Sequence, residues 1–410
     1  MVAYHFPPLA GSSGIQRTLR FAQQLPRVGW SPLVLSANTR AYERTSDDLL
    51  DELPATVPIR RAFALDTARH LTVQGRYLAW MARPDRWVSW RFDAVRQGLQ
   101  MIAAYRPQVI WSTYPIATAH LIGRALQRRS GLPWVADFRD PMAQDGYPED
   151  PVTRQAYVDI ESAAMQHAAC CVFTTPGAAR TYRQRYPQAS ARVEVIENGF
   201  DEESFAGLPA AHIDTNVNTT GPLTLLHSGI VYPSERDPTA LMAGLALLRD
   251  RHGLTPKMLC IRFRAAVHDD LLRSLAAAHG VESFIDIAPA VPYRAALTEM
   301  TSVGALLVLQ AANCNEQIPA KLYEYLRAGR PVVGLADPAG DTAAALRHAG
   351  VPYLAPLDDA AAIATQLARL LEDHRAGRAA VPAPAAVAAA SRVARTQALA
   401  ALLNDVAAVQ

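Results

Sequence analysis

Two glutamates and a lysine stand close together in Asn313–Leu335, NCNEQIPAKLYEYLRAGRPVVGL. Basic residues in this chain are almost all arginine, and Lys257 and Lys321 are the only lysines. A lysine offers a compact point charge where arginine offers a planar fork. Pro319 occupies a place where a helix can begin without needing an N–H. Gly329 suits the end of that helix, and Pro331 blocks its continuation. Apolar runs on either side, Ala305–Leu309 and Val332–Leu335, read as strands. Lys321 then falls in the first helical turn at the C-terminal edge of a parallel sheet, where open α/β folds bind ligands. Free N–H groups and the positive helix end attract phosphate there, and Lys321 adds a full charge. Glu324, one turn further on, is placed to accept hydrogen bonds from ribose hydroxyls, and Glu316 stands just ahead of the helix. The bland alternative is a well-capped surface helix with solvated charges.

Three other segments carry chemistry at strand ends. In Phe6–Arg20, FPPLAGSSGIQRTLR, Gly11 and Gly14 flank two serines before a helix opens, which lets a ligand approach the backbone closely. The spacing is not Gly-x-Gly-x-x-Gly, which argues against a nicotinamide dehydrogenase. Arg17 is either an anion contact or a solvated helix residue. In Trp134–Met142, WVADFRDPM, the charged residues Asp137, Arg139 and Asp140 follow an apolar strand. They suit acceptor binding or base chemistry, or equally an Arg–Asp pair that shapes the loop. In Leu225–Pro238, LLHSGIVYPSERDP, a strand ends at Ser228-Gly229 and Arg236 follows, a guanidinium able to hold phosphate oxygens bidentately.

These segments need a scaffold of alternating strands and helices. The chain has 410 residues, and a single core rarely grows past roughly 250–300, so two domains are expected. Further strands are read at Leu33–Leu35, Val109–Ser112, Cys170–Thr174, Val193–Ile196, Leu223–His227, Met258–Phe263 and Phe284–Ile287. Several are continuous apolar runs, as parallel strands covered on both faces require. The polar stretch Leu208–Gly221 is the most linker-like. The expected division is a Rossmann-like domain at 1–207, a linker at 208–221, a second Rossmann-like domain at 222–377, and a connector with a C-terminal helix at 378–410. Met1–Tyr4 reads as the end of a strand, so the true start is expected a few codons upstream. The formal charge of +2 is too near neutral for a nucleic-acid binder. Cys170, Cys171, Cys260 and Cys314 lack zinc-ligand spacing and read as buried, reduced thiols of a cytoplasmic protein. No metal site is expected, nor any apolar stretch long enough to span a bilayer.

The spacing of Glu316 and Glu324 resembles the paired-glutamate signature of family-4 retaining glycosyltransferases. Ile318–Pro331 is similar to a branch of that family with a Pro-x-Lys-x-x-Glu-Tyr pattern, and Trp134–Met142 resembles its DFRDP segment. The resemblance runs from Tyr4 to about Pro356. It implies the α/β GT-B fold, two Rossmann-like doubly wound domains facing a central cleft, and transfer from a nucleotide-diphosphate sugar to a glycan or lipid-linked acceptor. Retention, independence of metal and of any cofactor, and a place in bacterial cell-surface polysaccharide or glycoconjugate synthesis are implied likewise. Carried over residue by residue, Glu316 faces the donor sugar and Glu324 holds the ribose. Lys321, Arg236 and Gly229 serve the diphosphate, and Gly11, Gly14 and Arg17 form the loop that closes on it. Asp137, Arg139 and Asp140 stand at the acceptor. The sequence departs from the pattern in lacking the Gly-rich run after Glu316, in Ile230 after Gly229, and in Ser112-Thr113 where relatives carry a histidine. His120 is an outside candidate for that place.

Trp80, Trp87 and Trp90 are interleaved with arginines around an expected helix from Arg86 to about Ala104. Such a helix can rest on the inner face of the cytoplasmic membrane, although Trp87, Trp90 and Ala94 equally describe a buried face. Two rival functions remain at this point: a GT-B sugar-nucleotide epimerase, with His227 and His268 as weakly placed candidates, and a non-catalytic sugar-nucleotide-binding partner subunit.

Overall fold

The computed structural model describes every residue except Ser13, Pro54, 209–220 and 409–410. The expected linker thus falls almost wholly outside the described residues. Two compact units form, Met1–Glu197 with Arg392–Gln410, and Asn198–Ser391.

The first unit contains β1 (Val34–Ala37), β2 (Ile59–Ala62), β3 (Ile110–Thr113), β4 (Trp134–Arg139), β5 (Cys170–Phe173) and β6 (Arg192–Val195). All pairings are parallel: β1 with β2, and β3-β4-β5-β6 in that order. Val2 joins the two groups through single bridges to Leu35 and Ser112. Met1–Tyr4 therefore contributes a bridge in place of the expected strand. Strands β1, β3 and β5 are buried at every position, which is why they read as unbroken apolar runs. Strand β2, IRRA, carries two arginines in four residues and offers no such run.

The second unit contains β7 (Leu223–Ser228), β8 (Leu259–Arg264), β9 (Ile285–Ala288), β10 (Ala305–Gln310), β11 (Val332–Ala336) and β12 (Tyr353–Ala355). They form one parallel sheet in the order β12-β11-β10-β7-β8-β9. Each sheet is a doubly wound α/β layer with its own apolar core. The boundary between the units lies at Glu197, ahead of the polar stretch. The C-terminal helix Arg392–Ala408 is part of the first unit, where Thr396 donates to Gln24 and Arg395 pairs with Glu197.

All four cysteines are free; Cys170, Cys171 and Cys314 are buried, and Cys260 is only half-buried. The helix expected from Arg86 begins at Trp90 and runs to Tyr105. Trp90 is fully buried and packs against Tyr4, so it belongs to the core. No described helix is long and apolar enough to cross a membrane.

Candidate active site

In the second unit the chain runs from β7 outward to β8 and β9, then crosses back to β10. The β7/β10 boundary is therefore the place where strand order reverses, and open α/β sheets bind ligands at such a point. His227, near the end of β7, is fully buried there. Its Nδ1 donates to the Leu307 carbonyl of β10 at 3.0 Å, which leaves the Nε2 lone pair facing Lys321 Nζ at 3.2 Å. Burial, then the Lys321 charge, holds the imidazole well below its usual range, so it stays neutral. Lys321 is the first residue of the helix Lys321–Ala328, which ends at Gly329 in the left-handed conformation. Burial above all, then nearby Arg236, pushes the ammonium down to about 7, with Glu324 working in the opposite sense.

Gly229 has φ +116, and a Cβ there would lie 2.9 Å from Lys321 Nζ. Both the backbone conformation and the space for the ammonium thus require glycine. Arg236 donates through Nη1 to the Ile230 carbonyl at 2.7 Å and lies over the Tyr232 ring, while its buried Nε has no partner among the described residues. Glu324 accepts from Tyr293 Oη at 2.7 Å. Glu316 sits half-buried in the loop after β10. That loop is pinned by Asn315 to Asp337 and by Thr342 to the Gln317 carbonyl. Lys321, Arg236, Gly229, Glu324 and Glu316 thus gather on one edge of one sheet.

The first unit distributes its charges differently. Arg17 is 3% exposed and Asp137 is fully buried. Arg17 donates to both carboxylate oxygens, from Nε at 3.0 Å and Nη2 at 2.8 Å, and Thr113 adds a third bond at 2.8 Å. This corrects both readings of Arg17: it neither projects to a ligand nor lies in solvent. It corrects Asp137 too, whose oxygens are occupied by internal donors and unavailable for base chemistry.

Arg139 differs from Arg17. A register shift between Asp137 and Arg139 bulges β4 against β5, and Arg139 has φ +64. A non-glycine residue held there is strained and re-aimed. Its guanidinium makes no ion pair or hydrogen bond among the described residues, and Nε is buried without a partner. Burial holds that group below its ordinary range. It lies over Gly14, where a Cβ would be 2.5 Å from Nη1 and 2.6 Å from His5 Nδ1. His5 bonds Ser12 at 2.9 Å, and burial, then Arg139, pushes it down to about 4. Asp140 accepts from Thr174 at 3.3 Å, and Gly11 is exposed in the loop.

His120 is a core residue. It is fully buried, bonded to Ser112 at 2.8 Å and packed on Phe138. Sequence reasoning missed three residues: His5, His227 as the support of Lys321, and Tyr293. Only His227 carried a local signal, as the polar residue in LLHSG at the end of an apolar strand.

Known proteins extend this geometry. Residues 13–199 match the model of the glycosyl transferase 4-like domain. Sucrose-phosphate synthase from Thermosynechococcus elongatus is similar in structure, with TM-score 0.65 and 15% identity over 100% of this chain and 98% of that one. Anabaena HepE in complex with UDP-glucose has TM-score 0.62 and 16% identity over 97% of this chain and 98% of its own. The α,α-trehalose 6-phosphate synthase of Burkholderia multivorans has TM-score 0.63 and 13% identity over 100% and 95%. No curated protein matches the sequence. The fold is GT-B. Its first unit carries the family-4-like domain.

Proposed function

We propose that the protein transfers a sugar from a uridine-diphosphate donor to a glycan or lipid-linked acceptor, with retention and without a metal, in cell-surface polysaccharide or glycoconjugate assembly in the cytoplasm. One observation carries the donor reading: Lys321 stands on a neutral histidine at a helix start beside the strand switch, with Gly229 leaving room for it. The leaving diphosphate gains negative charge as the glycosidic bond breaks. Lys321, Arg236 and the helix N-terminus are preorganised to receive that charge. Glu324, oriented by Tyr293, holds the ribose, and Glu316 faces the donor sugar. The loop with Gly11 and Gly14, and Asp140 beside it, serve the acceptor. The choice of uridine rests on HepE, which was crystallised with UDP-glucose. His227 is engaged at both ring nitrogens, which leaves it poorly suited to the proton transfers of an epimerase.

Calorimetric titration with UDP-glucose tests the donor site. Each charged or charge-assisted contact contributes roughly 1.5–3 kcal/mol, so Lys321→Ala should weaken binding about tenfold to a hundredfold. Glu324→Ala should weaken it as well, and chelator should change nothing. Absence of binding, or binding indifferent to both substitutions, would sink the assignment, and a product of inverted configuration would remove retention.

A contact with the inner membrane leaflet has support from one expected residue, Trp80, and from neighbours outside the expected helix. Val73, Tyr77, Leu78 and Trp80 are exposed, at 77%, 41%, 61% and 67%, with Arg76 among them. An apolar patch with a basic residue fits an anionic bilayer surface.

A further inference from the structure

An apolar cavity of about 380 Å³ lies at the N-terminal edge of the first unit's sheet, beside Leu33 and Val109. Met1 lines it, and it continues the gap between β1 and β3 that Val2 bridges in parallel on both sides. The ladder in that gap is regular. The Val2 amide donates to the Trp111 carbonyl at 2.7 Å, the Leu35 amide to the Met1 carbonyl at 2.8 Å, and the Met1 amino group to the Leu33 carbonyl at 2.7 Å. The ladder then stops at an amine that burial pushes down to about 5. The next amide beside β1, that of Leu33, has no acceptor among the described residues. In β3 the Ile110 amide bonds the Pro133 carbonyl next to β4, so by alternation the Trp111 amide points into the gap. Backbone groups inside a sheet are ordinarily paired. The walls are apolar on both faces, with Met101 and Leu126 on one and Leu25 and Leu403 on the other. Such walls suit a parallel strand covered on both sides. A small apolar molecule would meet the walls and leave both amides unpaired, whereas a polypeptide satisfies walls and amides together.

We propose that this cavity seats a short extended apolar segment joined ahead of Met1, which lengthens the middle strand of the first unit's sheet. In the continued register, the first residue ahead of Met1 donates to the Val109 carbonyl and accepts from the Trp111 amide. The second accepts from the Leu33 amide. Successive side chains alternate between the two walls. The buried amine becomes a peptide nitrogen, which carries no charge to desolvate.

The test compares the chain Met1–Gln410 with full-length versions that carry Met-Val-Leu-Ile, Met-Val-Leu-Pro or Met-Ser-Gly-Ser ahead of Met1. The Ile version is expected to melt about 5 °C or more above the chain alone. Hydrogen exchange at the Trp111 and Leu33 amides should slow about tenfold or more in it. The Pro version keeps the apolar surface but has no N–H for the Val109 carbonyl, so its gain should be smaller. The Ser-Gly version should gain nothing. Equal melting of all four, or a gain shared by the Ser-Gly version, overturns the proposal. So does unchanged exchange at both amides, because the extension then lies outside the sheet. An equal gain for the Ile and Pro versions removes the ladder and overturns the strand. If the Ile version is stabilised but the protein isolated from its own cells has an intact mass beginning at Met1, the seat belongs to another occupant and the proposal falls.

Discussion

Both units bring a basic side chain to the start of a helix beside a reversal of strand order, yet they leave different amounts of charge for a ligand. In the first unit Arg17 is neutralised by Asp137, oxygen for nitrogen, and the pair is sealed from solvent. In the second unit Lys321 rests on an uncharged imidazole. The histidine fixes the ammonium in place without cancelling its charge. The ligand-binding potential of a basic residue is therefore decided by the charge of its partner, more than by its position on the fold. Arg139 shows the same rule within the first unit, since it lies near Arg17 and stays unpaired.

The sharpest way to break this comparison is to remove the partner that silences Arg17. Asp137→Ala would leave a buried guanidinium without a counter-charge, which costs about 3–5 kcal/mol. Urea denaturation should show that loss, and the double variant Arg17→Met with Asp137→Ala should recover most of it. If Asp137→Ala instead unfolds like wild type, Arg17 has another outlet, and the contrast between the units fails.

The second unit is tested by pH. Lys321 is held down to about 7 in the free protein. A bound diphosphate stabilises the ammonium, so the complex holds more protons than the free protein above that pH. Affinity for a nucleotide-diphosphate sugar should then be flat below about pH 6 and fall as pH rises through 7. The total loss is bounded by the charge's own contribution, roughly tenfold to a hundredfold. His227 stays neutral throughout, because burial and Lys321 hold it far below this range. Such a donor has no terminal phosphate to titrate here. Titrations in buffers of differing ionisation enthalpy should register proton uptake at pH 8, and Lys321→Arg should abolish both effects. Affinity unchanged from pH 6 to pH 9 would mean that the free ammonium is already fully charged.

What was legible in the sequence follows from what has a local cause. The ten expected strands lie within a residue or two of observed ones, because most carry a run of apolar residues, unbroken in β1, β5, β10 and β11 where every position is buried or nearly so and interrupted by charged residues in β6, β8 and β9. Strands β2 and β12 escaped, one carrying two arginines and the other only three residues long. The helix after Pro319 was legible because its stop is chemical, a glycine at φ +67. The fate of the charges was not. Arg17 and Asp137 are 120 residues apart, and nothing near either of them shows that they meet. The three neighbours of one strand end, Asp137, Arg139 and Asp140, look alike in sequence. The bulge at β4 sends them to three different fates: an internal pair, an open cation and a loop carboxylate.

The smallest expected effect concerns the exposed segment of the first unit. Its aromatic and aliphatic side chains, Trp80 among them, lie around Arg76, while Trp90, another of the three tryptophans considered for the contact, is buried in the core. If the segment rests on an anionic leaflet, the guanidinium contributes about 1 kcal/mol near the surface, a factor of about five in partitioning. Arg76→Gln should therefore reduce sedimentation with phosphatidylserine-containing vesicles by about that factor at low salt, and the difference should shrink as salt is raised. UDP-glucose affinity should stay unchanged, because Arg76 belongs to the first unit and the donor residues to the second. Equal sedimentation of both proteins, or a difference indifferent to salt, would assign the exposed side chains to another surface, and the acceptor would then need no bilayer to present it.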